Sequence, residues 1–162
     1  MSIKENSLFK AMRHIETVRN YLNKIIRELL TRQEMHDQSK LQSPEMELFD
    51  IMTPKLRGVT YGSPEYKACM KELSVAIEHH NANNRHHPEH FYNGIKDMTL
   101  VDLIEMLCDW KSSSLRHNDG NILKSIDINQ ARFNYSDELK QILKNTAMWL
   151  DSEQVPNHAN ES

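Results

Sequence analysis

One uninterrupted helical repeat constrains the fold of this chain more than any other feature. Leu8, Met12, Ile15, Val18, Leu22, Ile25, Ile26 and Leu29 recur every three or four positions. That spacing places apolar side chains on one face of an α-helix. No stretch alternates with the two-residue period of a strand for more than a few positions, and nothing reads as a β-hairpin. Gly and Pro are scarce, at 4 and 5 of 162 residues. The expected fold is all-α, a single-domain helical bundle of about five to seven helices.

Capping chemistry sets further boundaries. Ser43-Pro44 and Ser63-Pro64 each put an N-cap residue before a proline suited to the first helical position, with Glu45 and Glu65 in the first turn. Helices are predicted to start there and to run to about Met52 and His80. Thr99 with Asp102 spells a capping box, and Gly120 stands where the helix so opened would close. Ser136-Asp137-Glu138 opens a last helix through about Leu150. The domain is expected to span 1–150, and the polar tail 151–162 to fray. Segment 81–98 reads as the longest irregular stretch, a length more often functional than neutral.

Composition excludes several classes. The net charge of −3 gives no global basic field for nucleic acid or anionic lipid. No apolar run approaches the roughly 20 residues that span a bilayer, and the first residues lack the apolar core of a signal peptide. Cys69 and Cys108 form no framework and no CxxC motif. Both fall inside apolar helical patterns and are expected to be buried thiols, which points to a reducing cytoplasm. Neither a nucleic acid nor a membrane is expected as partner, and an oligomer stays open.

Three segments carry metal-binding chemistry. Five of the nine histidines lie in His79-His80-Asn81-Ala82-Asn83-Asn84-Arg85-His86-His87-Pro88-Glu89-His90. His36-Asp37 lies upstream, followed by Ser39 and Lys40, and Asp102, Glu105 and Asp109 follow downstream at i, i+3, i+7. Imidazoles and carboxylates without thiolate suit Mn, Fe, Co, Mg or Zn. Adjacent residues on a helix point about 100° apart, so His36 and Asp37 can share an ion only near a helix end. Leu73, Ala76, Ile77 and His80 share one face, which turns His80 inward and His79 sideways. The spacing of His87 and His90 suits one face of a helical turn, although Pro88 leaves open which histidines of that run point together. Carboxylates on the apolar helix around Leu103, Ile104 and Leu107 are costly to bury unless paired or metal-bound. Lys40 and Arg85 sit beside the proposed ligands, where a bridging phosphate would reconcile cation with cation.

The residues HDQSK at 36–40, YGSPEYK at 61–67, HHNANNRHHPEH at 79–90 and EMLCDW at 105–110 cover most of the chain. The order His, HD, further histidines, Asp resembles the HD-domain superfamily of metal-dependent phosphohydrolases. Within it the chain is most similar to a family of uncharacterised phage and bacterial proteins. The resemblance implies an HD-domain-like helical fold, with His14, His36, Asp37 and Asp109 around one metal. His80 and one or more of His86, His87 and His90 would complete the site or extend it to two ions, with His87 and His90 the members of that run expected to ligate. If the protein is phage-encoded, the compartment is the host cytoplasm. Two departures stand out. Lys40 and Leu41 occupy the region where nucleotidase branches carry a glutamate. In addition, a straight helix through residues 8–34 would separate His14 from His36 by about 33 Å at ~1.5 Å per residue, and the apolar period runs through Asn23 without a break.

The expected activity is hydrolysis of a nucleotide or related small phosphate ester by a metal-activated water. Lys40 and Arg85 would neutralise the phosphate, and Asp37 or Glu89 would take the proton. A di-iron oxygenase on the same scaffold, and a non-catalytic protein binding a nucleotide or host factor, are the competing expectations.

Overall fold

The apolar period from Leu8 to Leu29 becomes a single helix, α1 (Ser7–Met35), 29 residues long. The computed structural model describes residues 7–56, 59, 63–115 and 120–152. Among these, six more α-helices follow: α2 (Glu45–Leu56), α3 (Pro64–Glu72), α4 (Ser74–Asn83), α5 (Leu100–Ser114), α6 (Ile122–Phe133) and α7 (Asp137–Ser152). Short 3-10 turns occupy Gln38–Leu41, Pro88–His90 and Gly94–Asp97. No strand occurs among the described residues, and the architecture is an all-α bundle.

Local chemistry accounts for most ends. Ser63 Oγ accepts from the Tyr66 amide at 3.1 Å with Pro64 in the first turn, so α3 starts as its sequence dictates. The capping box at Thr99 and Asp102 is complete in both directions. Asn121 caps α6 by accepting from the Leu123 and Lys124 amides, and Asn134 closes it in the left-handed region at φ 51°. Three expectations shift. α2 begins one residue after Pro44 and runs past Met52 to Leu56, with Pro54 held in its last turn. The helix expected over 64–80 is two helices, which meet at Leu73 (ψ −8°). α5 closes at Leu115 rather than at Gly120, and 116–119 lie outside the described residues.

Two small apolar cores hold the helices. Met106 and Leu107 of α5, Ile126 of α6, and Leu143 and Ala147 of α7 form one. Met52 of α2 with Leu73 and Ala76 forms the other. The histidine-rich segment runs along the seam between them. Cys69 is half-buried and Cys108 is exposed, so neither is the fully buried thiol expected. Cys108 lies on the outward side of α5, next to the face that Leu107 buries.

A buried charge network fastens α1 to α5. Asp102 is fully buried, and its capping oxygen also accepts from the Thr99 amide and hydroxyl at 2.8 Å. Arg32, near the end of α1, donates to Asp102 at 3.1 Å and to Glu105 at 3.0 Å. Arg85 donates to both carboxylate oxygens of Asp102 at 3.1 Å. Two guanidiniums therefore neutralise one dry carboxylate. Burial alone would raise the Asp102 pKa, but the bonds from Arg85 and Thr99 hold it below the usual carboxylate range. Removing one partner of such a network strands the others. Asp102→Ala is expected to cost about 3–5 kcal/mol, read as a fall in the urea midpoint at unchanged slope.

Candidate metal centre

α1 stops one residue short of His36, and Asp37 adopts the left-handed conformation at φ 57°. Aspartate tolerates that region better than most residues. The reversal carries His36 and Asp37 off the helix and aims both at one place. This resolves the difficulty that neighbours on a regular helix diverge. The following turn is tied to α4, because Asn84 donates to Ser39 Oγ at 2.7 Å and to the His80 carbonyl at 2.8 Å.

Three overlapping groups of potential ligand atoms result among the described residues: Asp37, His80, His86 and His87; His36, His86 and Glu105; and His36, Asp37 and Asp109. Asp37 joins two of them through different oxygens. Its Oδ1 lies 3.3 Å from His80 Nε2 and 3.5 Å from His86 Nε2, while its Oδ2 lies 3.6 Å from His36 Nε2. His36 Nε2 is also 4.0 Å from Asp109 Oδ1. The Nε2 atoms of His80 and His87 face each other at 2.9 Å.

Two glutamates orient the rings from behind. Glu45, fully buried at the start of α2, accepts from His79 Nδ1 at 2.7 Å and His80 Nδ1 at 2.8 Å. Glu105 of α5 accepts from His36 Nδ1 at 2.9 Å, and its Oε1 is 3.1 Å from His86 Nδ1. A carboxylate on Nδ1 fixes the proton there and leaves the Nε2 lone pair pointing inward, the arrangement that ligating histidines use. Burial works against the Glu105 charge, but bonds from His36 and Arg32 and the close approach of His86 outweigh it and hold the carboxyl far below its ordinary range. Burial likewise works against the Asp37 charge, and Lys40, which donates to Oδ2, keeps the carboxylate ionised. The bond to Glu105 raises the His36 pKa, whereas burial lowers that of His80. Burial, then the neighbouring His86 and His80, push His87 down to about 3.

The polar atoms fit a cation. Asp37 Oδ1 and both ring nitrogens of His86 are buried and make no hydrogen bond. Buried polar atoms are rarely left so. Converging Nε2 lone pairs and two acid oxygens form a mixed nitrogen and oxygen donor set with no thiolate, suited to a divalent ion of borderline to hard character.

The placement of the other expected residues differs. His14 sits on the exposed part of α1, and the unbroken helix keeps it about 33 Å from His36 at ~1.5 Å per residue, so it cannot reach this centre. His90 donates Nδ1 to the Asn81 carbonyl at 3.1 Å, packs on Phe91 and joins none of the groups. The reason is local: His87 is extended (φ −92°, ψ 125°), and the turn begins only at Pro88, so i, i+3 does not place the two rings on one face. Arg85 is spent on Asp102 and lies over the Phe91 ring at 4.9 Å, away from the converging nitrogens. Glu89 accepts from Arg132 at 2.6 Å at the edge of the neighbouring cleft. His36, Asp37, His80, His87 and Asp109 come together, with Lys40 beside them. Arg132 was not singled out from sequence, His86 was one of three open choices in its run, and Glu45 was read only as a first-turn acid.

A family of unknown function, DUF5662, has a model that matches residues 4–151. The chain belongs to this family. No curated protein and no solved structure matches it. The matched span contains every residue of the centre, so the geometry above is a property of the DUF5662 region itself.

The neutral His87 gives a test in chelator-treated protein. An unfolded histidine takes a proton near 6.5, while folded His87 does so only near 3. Between those values the unfolded chain binds more protons, so stability falls as pH falls. His36, with its raised pKa, acts in the opposite direction, so the comparison is made at His87 alone. His87→Gln is expected to flatten this acid loss relative to the native chain, measured as urea midpoints across that window.

Proposed function

We propose that this DUF5662 protein is a metal-dependent phosphohydrolase of HD-domain type, acting on a nucleotide or related small phosphate ester. The observation that carries the reading is Asp37, which offers one oxygen to the His80, His86 and His87 group and the other to the His36 and Asp109 group. A carboxylate so placed suits one ion or a bridged pair. His36, Asp37, His80, His86, His87 and Asp109 would hold the metal. A divalent ion bound there supplies a water of lowered pKa and polarises a phosphoryl oxygen.

The chain's own groups account for the rest. A cleft of about 710 Å³ adjoins the centre, and His80, His87 and Asp109 line it together with Lys40, Trp110, Arg132 and Phe133. Its volume suits a ligand of mononucleotide size. Lys40 offers its ammonium to phosphate beside Asp37. Arg132 stands at the cleft wall, paired with Glu89 and stacked on Phe133 at 4.7 Å. Trp110 lies parallel to Phe133, 8° apart with centroids at 6.1 Å, an aromatic wall for a base. Asp109 borders both the ligand atoms and the cleft, so it is the carboxylate positioned to receive a proton from the nucleophile. Asp37 is engaged by Lys40, and Glu89 by Arg132.

The two ligand groups that share Asp37 also favour a second reading, a di-iron oxygenase. Oxygen uptake coupled to substrate by an iron-loaded protein with two irons per chain would select it over hydrolysis. For the hydrolase, elemental analysis of purified protein is expected to show Mn, Fe, Co, Mg or Zn, and a nucleotide panel to show phosphate release. Asp37→Ala and Asp109→Ala are each expected to lose the metal and the turnover. Glu45→Gln should weaken metal retention about 10–100-fold, as loss of a partner behind a ligating histidine does. Undiminished hydrolysis by metal-free Asp37→Ala protein would sink the proposal.

A further inference from the structure

We propose that the free length of α1 is a dimerisation surface that receives a second copy of this chain, with the two helices packed antiparallel. The helix contains no buried residue along its 29 positions. Leu8, Ala11, Ile15, Val18, Leu22 and Ile25 follow each other at alternating steps of three and four, and Leu29 and Arg32 continue the series. That is the seven-residue repeat of a coiled-coil seam, a stricter pattern than general amphipathicity. The large members of the free part remain 41–63 % exposed.

The same seam is already used at its other end. Arg32 bonds α5 through Asp102 and Glu105, and Leu29 is half-buried there. From Ile15 to Ile25 the large members of the stripe remain exposed among the described residues. Met12 and Ile26 flank the seam and are 58 % and 52 % exposed, so the apolar patch reaches the several-hundred-Å² scale that one partner of a stable interface removes from water. A patch of that size is unusual on a monomer.

A second copy fits, and its direction follows from where the rest of the molecule hangs. A parallel partner would bring two helical bodies to the Arg32 end, where α5 already occupies the seam. An antiparallel partner places each body beyond the free end of the other helix. Pairing Leu8 with Ile25, Ala11 with Leu22 and Ile15 with Val18 of the second copy stays within the free length and sets the smallest seam residue against a large one. The contact is self-complementary, as a two-fold dimer requires. Lys10, Arg13, Lys24 and Arg27 fall at outward positions of the repeat, clear of the seam. Arg19, nearer its edge, lies 3.7 Å from Glu16.

Sedimentation equilibrium of the full chain is expected to give twice the 19.0 kDa of one copy. Val18→Glu with Leu22→Glu should halve that mass while the far-UV CD of the bundle and its cooperative melt persist. If that variant loses helix, cross-linking decides. In a background with Cys69→Ser and Cys108→Ser, Leu8→Cys chains mixed with Ile25→Cys chains should form a disulfide dimer, and neither variant should do so alone. A native mass of one copy at high micromolar concentration overturns the proposal, whether the helix is then found bare or bound to a different protein. So does a dimer indifferent to Val18→Glu with Leu22→Glu, or one cross-linked by Leu8→Cys alone.

Discussion

Glu105 is the point on which the rest of this structure turns. It sits on α5, yet it accepts from Arg32 and His36 at the end of α1 and stands against His86 of the long loop. Three separate parts of the chain therefore meet at one carboxylate. A half-buried acid of this kind is stable only while its partners remain in place. The neighbouring Asp102 repeats the arrangement with Arg32 and Arg85. Together the two acids fix the exit of α1 on α5, and that exit determines where His36 and Asp37 can go.

Glu45 plays the matching part from the other core. It arrives on α2, is fully buried, and holds the Nδ1 edges of two adjacent histidines on α4. The centre is thus clamped between a glutamate from each core, with the inward nitrogens left to face Asp37. Burial then works in favour of ligation. It lowers the pKa of His80 and pushes that of His87 to about 3, which favours free lone pairs, while hydrogen bonds hold the carboxylates below their ordinary range. A lowered affinity of the His80 and His87 rings for protons favours an entering ion at those two positions, whereas His36 has to release one.

Much of this was legible in the residues themselves, and the misses share a cause. Local signals carried through: the apolar period gave α1, Thr99 and Asp102 gave the start of α5, and the Leu73, Ala76, Ile77 face turned His80 inward. Asp109 was readable from its place on the apolar helix. What failed was choice among near neighbours. His86 rather than His90 falls among the grouped ligand atoms because the 3-10 turn starts only at Pro88, whereas the spacing of His87 and His90 would have suited one face of an α-turn. Arg85 is adjacent in sequence to the ligands, but its partner is Asp102, seventeen residues on. Glu45 was marked locally only as a first-turn acid, since its role lies in contacts with residues 34 and 35 positions away. Hydrophobic periodicity is local information, whereas the pairing of buried charges is not.

The straightness of α1 separates this centre from the ligand pattern that the HD-domain resemblance implies. A first histidine within the helix would need a break between it and HD, and no Gly, Pro or polar interruption supplies one. With His14 out of reach, the donor set has to be completed elsewhere. His86, buried with both nitrogens lacking hydrogen bonds, stands where that donor is needed. The helix is then free of any duty to the site along its first three-quarters. The apolar seam there is the surface proposed above to receive a second helix, while the last turns of α1, through Arg32 and the reversal at Asp37, bring His36 and Asp37 to the candidate ligand groups. One helix can answer both demands only because it does not bend.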